Sequence, residues 1–360
     1  MNKFSYLFKA SMMCVVLAMG FTGCEETQEP KPKQSLWSGS HGAFILNQGG
    51  YNTNDAGISY YNFETGEFQP DIMSGALGAT GQDMLIYGSK LYVSVSTSSN
   101  ITVFDMDAHT LVKRVGLFHA DKSPRTPRYL EAYQGKIYAS CYDGTVIRLD
   151  TLQLAVDGEV AVGEYPEGMA VANGKLYVAN SGGMSADGPH NTVSVIDLSL
   201  FEKELKRITV GLNPYILKAD PSGNVYLTYQ GNFFDIEGGF QKIDTTNDSV
   251  QDLGHSPKQD FVIADGFIYY YDVDYTLVST GKGSYGKYDL ATETHLPLQI
   301  EETAIVNTPY GIGVNPGNQD IYIADANWMN PGNVTIFNKD GAKIRTLLQT
   351  GMNPCKFAFY

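Results

Sequence analysis

The sequence predicts an all-β fold over residues 41–360, a seven-bladed β-propeller with four-stranded blades. Three observations lead to this prediction. The region has no amphipathic helical stretch of useful length, and short β-type segments alternate with Gly, Asn, Pro and Asp turns. One motif also returns at intervals of 39 to 52 residues. A repeat of this length with four short strands is typical of propellers.

The repeat is clearest at the second and third strands of each unit. The second strand recurs as SKLYVSV, GKIYASC, GKLYVAN, GNVYLTY, GFIYYYD and QDIYIAD, and the third as ITVFDMD, TVIRLD, TVSVIDL, GFQKID, YGKYDL and VTIFNK. Tyrosine occupies one repeat position in six units, at Tyr92, Tyr138, Tyr177, Tyr226, Tyr269 and Tyr322. A side chain repeated in this way suits packing between blades better than contact with an asymmetric ligand.

The junctions between units give the number of blades. Proline marks six of them, and Gly81 takes the equivalent place in the seventh: Pro127, Pro166, Pro214, Pro257, Pro309 and Pro354. Only one strand follows Pro354, whereas the first strand, at Ala43–Asn47, is of the second-strand type. We therefore expect the C-terminal strand to be the inner strand of blade 1, which closes the ring and removes exposed sheet edges.

The N-terminal 40 residues predict export and anchoring. Residues 1–23 read as a lipoprotein signal peptide, in which Lys3 and Lys9 accompany an apolar run shorter than the ~20 residues of a membrane span. The segment ending in Cys24 resembles a lipobox, so Cys24 is the expected lipidation site, although Phe21 in place of the usual Leu leaves cleavage elsewhere open. Residues 24–40 are expected to form a flexible, polar tether. Glu25 and Glu26 resemble the surface-export signal of Bacteroidetes lipoproteins, which implies an outer-membrane protein that faces the cell exterior.

Charge and cysteine content narrow the possible partners. The formal charge is −14, and loss of Lys3 and Lys9 with the signal leaves −16, so we expect no nucleic-acid partner. Export permits a disulfide between Cys141 and Cys355. Their repeat positions lie two blades apart, however, which predicts two free thiols.

Loop lengths distinguish the two faces of the predicted ring. Antiparallel order puts the loops between second and third strands on one face, together with the connections between blades. These loops are long in five blades, over 47–57, 180–191, 229–239, 272–284 and 325–333, whereas the turns on the other face are minimal. We call the first the elaborated face and the second the plain face. Long loops on one side of a rigid scaffold commonly carry function.

The candidate binding residues come from two parts of the elaborated face. The long loops contribute Tyr51, His190, Phe233, Phe234, Tyr275 and Trp328, which either form a binding surface or cover one another. Tyr142 follows the second strand of blade 3. The residues after the junctions vary between blades and are expected near the central channel: Gln82, Arg128, Glu167, Tyr215, Lys258, Tyr310 and Cys355. Such variation suits an asymmetric ligand, or drift at solvated positions.

Catalytic and metal-binding patterns are weak. No Gly-rich phosphate loop, zinc-type or haem-type Cys pair, or Ser-His-Asp arrangement stands out, so we predict a binding protein without a resident cofactor rather than an enzyme. Two alternatives stay open. A three-His metal site could use His119, His190 and His255. Calcium could bind Asp272 with Asp274, or Asn52 with Asn54 and Asp55.

Two motifs carry a family resemblance. LYVAN and NTVSVIDL resemble YVTN-type propellers, and the lipoprotein-like N-terminus with the C-terminal GMNPCKFAFY makes the chain resemble the BtuG family of surface cobalamin-binding propellers. The resemblance implies capture of vitamin B12 and delivery to a TonB-dependent outer-membrane transporter. Aromatic side chains would cover the apolar corrin faces, and polar ones would bind its amides. His190 could approach the cobalt. The alternatives are a glycan-binding or protein-interaction propeller, and a metal-dependent hydrolase or lyase on this scaffold.

Overall fold

Seven four-stranded antiparallel sheets form the ring in the computed structural model, which describes residues 41–50, 53–73, 77–273, 284–301 and 306–360. The first strands are β1 (Gly42–Asn47), β2 (Gly57–Asn62), β3 (Phe68–Gln69), β4 (Gly81–Tyr87), β5 (Lys90–Val95), β6 (Asn100–Asp105), β7 (Thr110–Gly116), β8 (Pro127–Tyr133), β9 (Lys136–Cys141), β10 (Thr145–Asp150) and β11 (Ala155–Ala161). Then come β12 (Pro166–Ala172), β13 (Lys175–Asn180), β14 (Thr192–Asp197), β15 (Glu204–Thr209), β16 (Pro214–Ala219), β17 (Val225–Tyr229), β18 (Gly239–Asp244) and β19 (Ser249–Gly254). The last are β20 (Phe261–Ala264), β21 (Phe267–Asp272), β22 (Ser284–Asp289), β23 (Thr294–Pro297), β24 (Pro309–Val314), β25 (Ile321–Asp325), β26 (Pro331–Phe337), β27 (Lys343–Met352) and β28 (Pro354–Phe359).

Each sheet is one blade, and burial falls from its middle strands to its outer strand. Blade 1 contains β28, β1, β2 and β3, and the following blades take four consecutive strands each. The second strands are almost fully buried, as in β5 and β13, whereas the outer strand β7 is mostly exposed. Within these described ranges, no helix is long and apolar enough to cross a membrane.

The repeated tyrosines form the contacts between blades, which confirms the prediction made from their spacing. Tyr92 of blade 2 packs with Ile137 of blade 3, and Tyr322 of blade 7 packs with Ile45 of blade 1. All six rings are at most 3% exposed. Phe44 takes this position in blade 1 and packs against Met84 of blade 2. An aromatic ring therefore fills each of the seven interfaces between neighbouring blades.

The C-terminal strand closes the ring, as the sequence predicts. β28 pairs antiparallel with β1, with Ala43 opposite Phe359 and Asn47 opposite Pro354. The backbone amides of Gly42 and Tyr360 each donate to the other's carbonyl oxygen at 2.9 Å, which extends the pairing past the strand ends. Blade 1 is thus built from both ends of the propeller sequence.

The inner strands begin with an irregularity that shapes the channel. Five of them start at the junction proline, and pairing with the second strand shifts just after it, as between Pro127 and Leu130. The extra residue of such a bulge lets two consecutive side chains approach the channel instead of one.

Blade 6 departs from the predicted register. Its inner strand β20 begins at Phe261, four residues after Pro257, and in the segment between them the Lys258 amide donates to the Asp272 carboxylate at 2.7 Å. Val262 pairs with Tyr269 as Glu131 pairs with Tyr138. Three residues before Glu131 is Arg128, so the blade 6 counterpart of Arg128 is Gln259, and the assignment of Lys258 to the channel is wrong.

Both predicted free thiols are confirmed. Cys141 lies in blade 3 and Cys355 in blade 1, and both are buried and unbridged. Burial raises the pKa of Cys355 to about 12, so this thiol stays protonated at neutral pH.

Candidate binding face

The loops between second and third strands differ in length around the elaborated face. They contain nine to eleven residues in blades 4, 5, 6 and 1, whereas the blade 7 loop has five, shorter than predicted because β26 begins at Pro331. These five blades form a continuous arc, and in blades 2 and 3 only four and three residues separate β5 from β6 and β9 from β10. Blades 2 and 3 therefore form a lower side of the same face, next to the arc.

The described part of the arc carries large apolar side chains that are exposed to solvent. Phe234 is 95% exposed, Met329 84% and Phe233 72%, so these side chains do not cover one another. Trp328 is about half exposed, and its ring packs edge-on against Tyr310 with 4.9 Å between ring centroids. The predicted residues Tyr51 and Tyr275 lie outside the described residues.

Local hydrogen bonds hold the Phe233–Phe234 pair outwards. The Asn232 side-chain oxygen accepts from the backbone amides of Phe234, Asp235 and Ile236 at 2.9–3.1 Å. Phe233 has a φ of 62°, a left-handed conformation that costs a bulky L-residue about 1–2 kcal/mol. The loop adopts this conformation without burying either ring, which leaves both rings available to a ligand.

Arg128 is the centre of a cluster at the lower side of the elaborated face, which also contains Gln82, Tyr142 and Glu167. Arg128 donates to the Glu167 carboxylate through Nε at 3.0 Å and Nη2 at 3.3 Å, and to Gln82 Oε1 through Nη1 at 2.5 Å. Tyr142 donates its hydroxyl to Glu167, and its ring lies 4.4 Å from the Arg128 guanidinium carbon. Burial alone would lower the pKa of Arg128, but Glu167 raises it above its usual value. The charged groups of this cluster are therefore paired with one another, and we call the cluster the Arg128 floor.

A small cavity of about 50 Å³ lies at the elaborated-face end of the central channel. Its walls combine four residues predicted to lie near the channel, Gln82, Tyr215, Tyr310 and Cys355, with others that the sequence did not single out: Gln48, Tyr129, Gln259, Asp260, Tyr271 and Lys356. Lys356 Nζ lies 2.5 Å from Asp260 Oδ2. The Tyr129 ring packs edge-on against Tyr215, with 6.1 Å between ring centroids.

Below the cavity, the inner strands approach closely and charged side chains fill the channel. A Cβ on Gly311 would lie 2.1 Å from the Cys355 carbonyl oxygen, so this contact requires glycine. Burial raises the pKa of Glu131 to about 7, with Lys218 and Asp83 nearby, and burial also raises the pKa of Asp83. Only a small chemical group fits at the mouth, and a broad ligand must lie across the face.

A second hollow, of about 330 Å³, lies between blades 3 and 4 on the lower side. It is lined by Tyr142, Asp143, Gly144, Glu164, Tyr165, Ser185, Ala186 and Asp187. Tyr142 packs edge-on against Tyr165, with 5.4 Å between centroids, and Arg125 pairs with Asp143 at 3.0 Å. Tyr142 thus belongs to both this hollow and the Arg128 floor.

The histidines do not converge. His119 pairs with Asp143 at 3.0 Å, and His255 lies 3.6 Å from Glu237. The His190 ring lies against Gly182 of its own loop. Among the described ranges, no group of three or more His, Cys, Asp or Glu side chains could hold a metal ion, which does not support the three-His alternative.

The predicted lipidation site, Cys24, lies outside the described residues. So do Asn52 and Asp274, each of which belongs to one of the two predicted calcium sites. Of the other candidates, Asp272 accepts the Lys258 amide at 2.7 Å, and Asp55 accepts the Gly50 amide at 2.9 Å. Calcium binding at these positions therefore remains a prediction.

The fold and the one-sided loops define the class, a seven-bladed β-propeller with a single elaborated face. A family model described as a domain of unknown function (DUF5074) matches residues 41–347, and the chain belongs to this family. Among curated proteins, none matches in sequence.

Solved structures show the same fold at low sequence identity. A candidate 6-phosphogluconolactonase from Bacteroides uniformis is 13% identical, with a TM-score of 0.64 over 89% of this chain and 100% of that chain. Hydrazine synthase from Kuenenia stuttgartiensis is 18% identical, with a TM-score of 0.59 over 72% and 77%. The computationally designed Ika8 protein is 12% identical, with a TM-score of 0.55 over 89% and 91%. These similarities concern the propeller fold alone.

Proposed function

We propose that this protein is an exported binding protein that captures a corrinoid, such as cobalamin, on its elaborated face. The observation that carries the proposal is the Phe233–Phe234 pair, which Asn232 holds in solvent at a conformational cost. Exposed apolar groups beside a polar floor complement a broad disc with apolar faces and an amide fringe. The resemblance to the cobalamin-binding propellers points to the same ligand class.

The geometry favours a ligand that spreads over the face. The channel mouth encloses only about 50 Å³, so the body of a corrinoid would rest above it, bordered by the five-blade arc. The arc supplies Phe234 from blade 5 and the neighbouring Trp328 and Met329 from blade 7. Such spacing suits a large, rigid ligand better than a small metabolite.

We propose binding rather than catalysis because the buried charges of the floor are engaged with one another. Both Glu167 oxygens accept from Arg128, and one also accepts from Tyr142. A general base must be available to take a proton from the substrate. The floor instead provides a fixed polar surface for a ligand.

Titration calorimetry tests the ligand class. Purified protein would be titrated with cyanocobalamin and, separately, with a panel of neutral and acidic oligosaccharides. We expect saturable binding of cyanocobalamin with one site per chain. An absence of cyanocobalamin binding would contradict the proposal, and saturable binding of an oligosaccharide in its place would favour the glycan-binding alternative.

We further propose that the protein acts at the outer surface, anchored by lipid at Cys24, and passes its ligand to a TonB-dependent transporter. Cys24→Ala should release the protein from membranes. Replacement of Glu25 and Glu26 by Ala should keep it lipidated but protect it from protease added to intact cells. Full protease access in the double variant would contradict the proposed export signal. Co-purification of a TonB-dependent transporter with the anchored protein tests delivery.

A further inference from the structure

We propose that the cavity at the channel mouth is a subsite for one neutral carboxamide group of the ligand. The inference deepens the proposed function, on which it rests for the identity of the ligand, by naming the group that enters the channel. The same chemistry occurs in the peripheral amides of a corrinoid and in the N-acetyl group of an amino sugar.

The side chain of Gln82 is a buried amide whose amino group has no hydrogen-bond partner among the described residues. Gln82 is only 6% exposed and lines the cavity. Its Oε1 accepts from Arg128 Nη1 at 2.5 Å, and because arginine only donates, this contact fixes the orientation of the amide. The Nε2 group then has no protein partner among the described residues. The cavity wall therefore offers N–H donors, which favour a ligand acceptor such as a carbonyl oxygen.

Gln48 repeats this arrangement beside Gln82, and its backbone carbonyl oxygen accepts from the Gly81 amide at 2.9 Å. The Tyr310 hydroxyl donates to Gln48 Oε1 at 3.1 Å, which leaves the Gln48 amino group as the available donor. Tyr310 in turn packs against the half-exposed Trp328. A ligand that rests on Trp328 would therefore lie directly above the cavity.

The cavity also offers an acceptor for an N–H group. Asp260 Oδ2 pairs with Lys356, and Oδ1 accepts from the Phe261 amide at 2.9 Å. Each carboxylate oxygen can accept a second hydrogen bond. Donors on Gln82 and Gln48 with an acceptor on Asp260 complement an amide, which carries both a carbonyl oxygen and an N–H.

The charge balance favours a neutral group over an anion. Lys356 is matched by Asp260, and Arg128 is matched by Glu167. Deeper in the channel, Lys218 lies with Asp83 and Glu131. An entering carboxylate would lose its hydration without gaining an unmatched cation, which makes its burial costly.

The size of the cavity agrees with this group. One water requires about 10–15 Å³ of such space, so about 50 Å³ corresponds to roughly four waters. An acetamide unit has four non-hydrogen atoms and is of similar size. Larger groups would meet the closely packed inner strands below.

The first test uses small probes and does not depend on the physiological ligand. Side-chain amide signals of ¹⁵N-glutamine-labelled protein would be followed by NMR during titration with acetamide and with acetate. The Gln82 signal is assigned by its loss in Gln82→Glu, a variant that still accepts from Arg128. We expect acetamide to shift the Gln82 and Gln48 signals and acetate to leave them unchanged. No shift with acetamide, or an equal shift with acetate, would overturn the inference.

The second test separates the two sources and the two proposals. Affinities for cyanocobalamin and for N-acetylglucosamine oligomers would be measured with wild type, Gln82→Glu, and the plain-face control Gln134→Glu. Melting temperatures would verify folding, and Gln82→Met gives a neutral second variant. We expect at least a tenfold loss of cyanocobalamin affinity in both Gln82 variants and none in the control.

The outcomes distinguish the proposals. Equal cyanocobalamin binding by wild type and both Gln82 variants would overturn the subsite and leave the proposed function standing. Binding of the N-acetylated oligomers alone, weakened at Gln82, would support the subsite and contradict the corrinoid. An affinity loss of the same size in Gln134→Glu would overturn the subsite, because the effect would not be local.

Discussion

The two faces of the ring differ in what decides their sequence. On the plain face, the turns between first and second strands of blades 2, 3, 4 and 6 are two-residue connections with positive φ at one or both positions, such as Asn173-Gly174 and Asp265-Gly266. Their residues follow from hairpin geometry. Loops on the elaborated face are free of that constraint, yet the loop of blade 5 holds Phe233 and Phe234 in solvent. We infer that hairpin geometry determines which residues occur in the short turns of the plain face. On the elaborated face, ligand contact determines which residues occur in the loops.

Exposure alone does not separate the faces. Leu152 and Leu200 on the plain face are 89% and 62% exposed, but each is a single exposed apolar side chain in its turn, where the neighbouring apolar residues Leu154 and Phe201 are buried. Phe233 and Phe234 are adjacent and are followed by Ile236, which is also exposed. Clustering is therefore the difference that matters, because isolated exposed apolar residues are common on protein surfaces.

The largest effect is expected from deletion of the C-terminal strand, because both faces depend on a closed ring. Deletion of Cys355–Tyr360 leaves β1 without its inner neighbour and opens the ring. We expect a fall in melting temperature of many degrees by calorimetry, with a loss of protein that folds. Leu152→Ala, on the plain face, should melt like the wild type. A truncated protein that melts normally would show that strand pairing does not close the ring.

The next effect compares an ion pair beneath the elaborated face with one on an outer strand. Arg128→Ala leaves Glu167 buried without its cation and should lower the free energy of unfolding by about 3–5 kcal/mol. Arg148→Ala breaks a more exposed pair with Asp157 and should cost about 1 kcal/mol or less. Urea unfolding measures both. Equal costs would mean that the Arg128 floor is not rigidly packed.

The smallest effect is a pH dependence that arises in the channel. Burial raises the pKa of Glu131 from 4.5 to about 7 in the folded protein, so its protonated form is the favoured one. The stability that this form contributes is complete below about pH 4.5 and is lost as the pH rises through about 7. Glu131→Gln should therefore stabilise the protein at pH 8 relative to the wild type, and leave it unchanged near pH 4.5. Melting curves at both pH values measure this, and an equal effect at both would contradict it.

Much of the fold could be predicted because it depends on a repeat. The period, the tyrosine position and the single strand after Pro354 together predict the blade number, the inter-blade packing and the closure. The register of blade 6 could not be predicted, because Pro257 marks a junction without showing that β20 begins at Phe261.

The binding face was only partly predictable. Long loops and their aromatic residues are visible in the sequence, but the channel mouth combines side chains from blades far apart in the chain. Lys356 and Asp260 were missed because we expected one channel residue per blade, whereas the irregular start of the inner strands brings consecutive residues there. The bulge pattern around Gly and Pro is a signal that could have indicated this.

The affinity for cyanocobalamin across matched variants of the two faces tests the central claim most directly. Titration calorimetry would compare Phe233→Ala, Phe234→Ala and Trp328→Ala with the plain-face variants Leu152→Ala, Leu200→Ala and His109→Ala. Loss of an aromatic anchor typically costs about 2 kcal/mol or more, roughly thirtyfold in affinity. We expect such losses for the elaborated-face variants and unchanged affinity for the plain-face variants. Equal affinities across both sets would contradict the claim that the elaborated face binds the ligand.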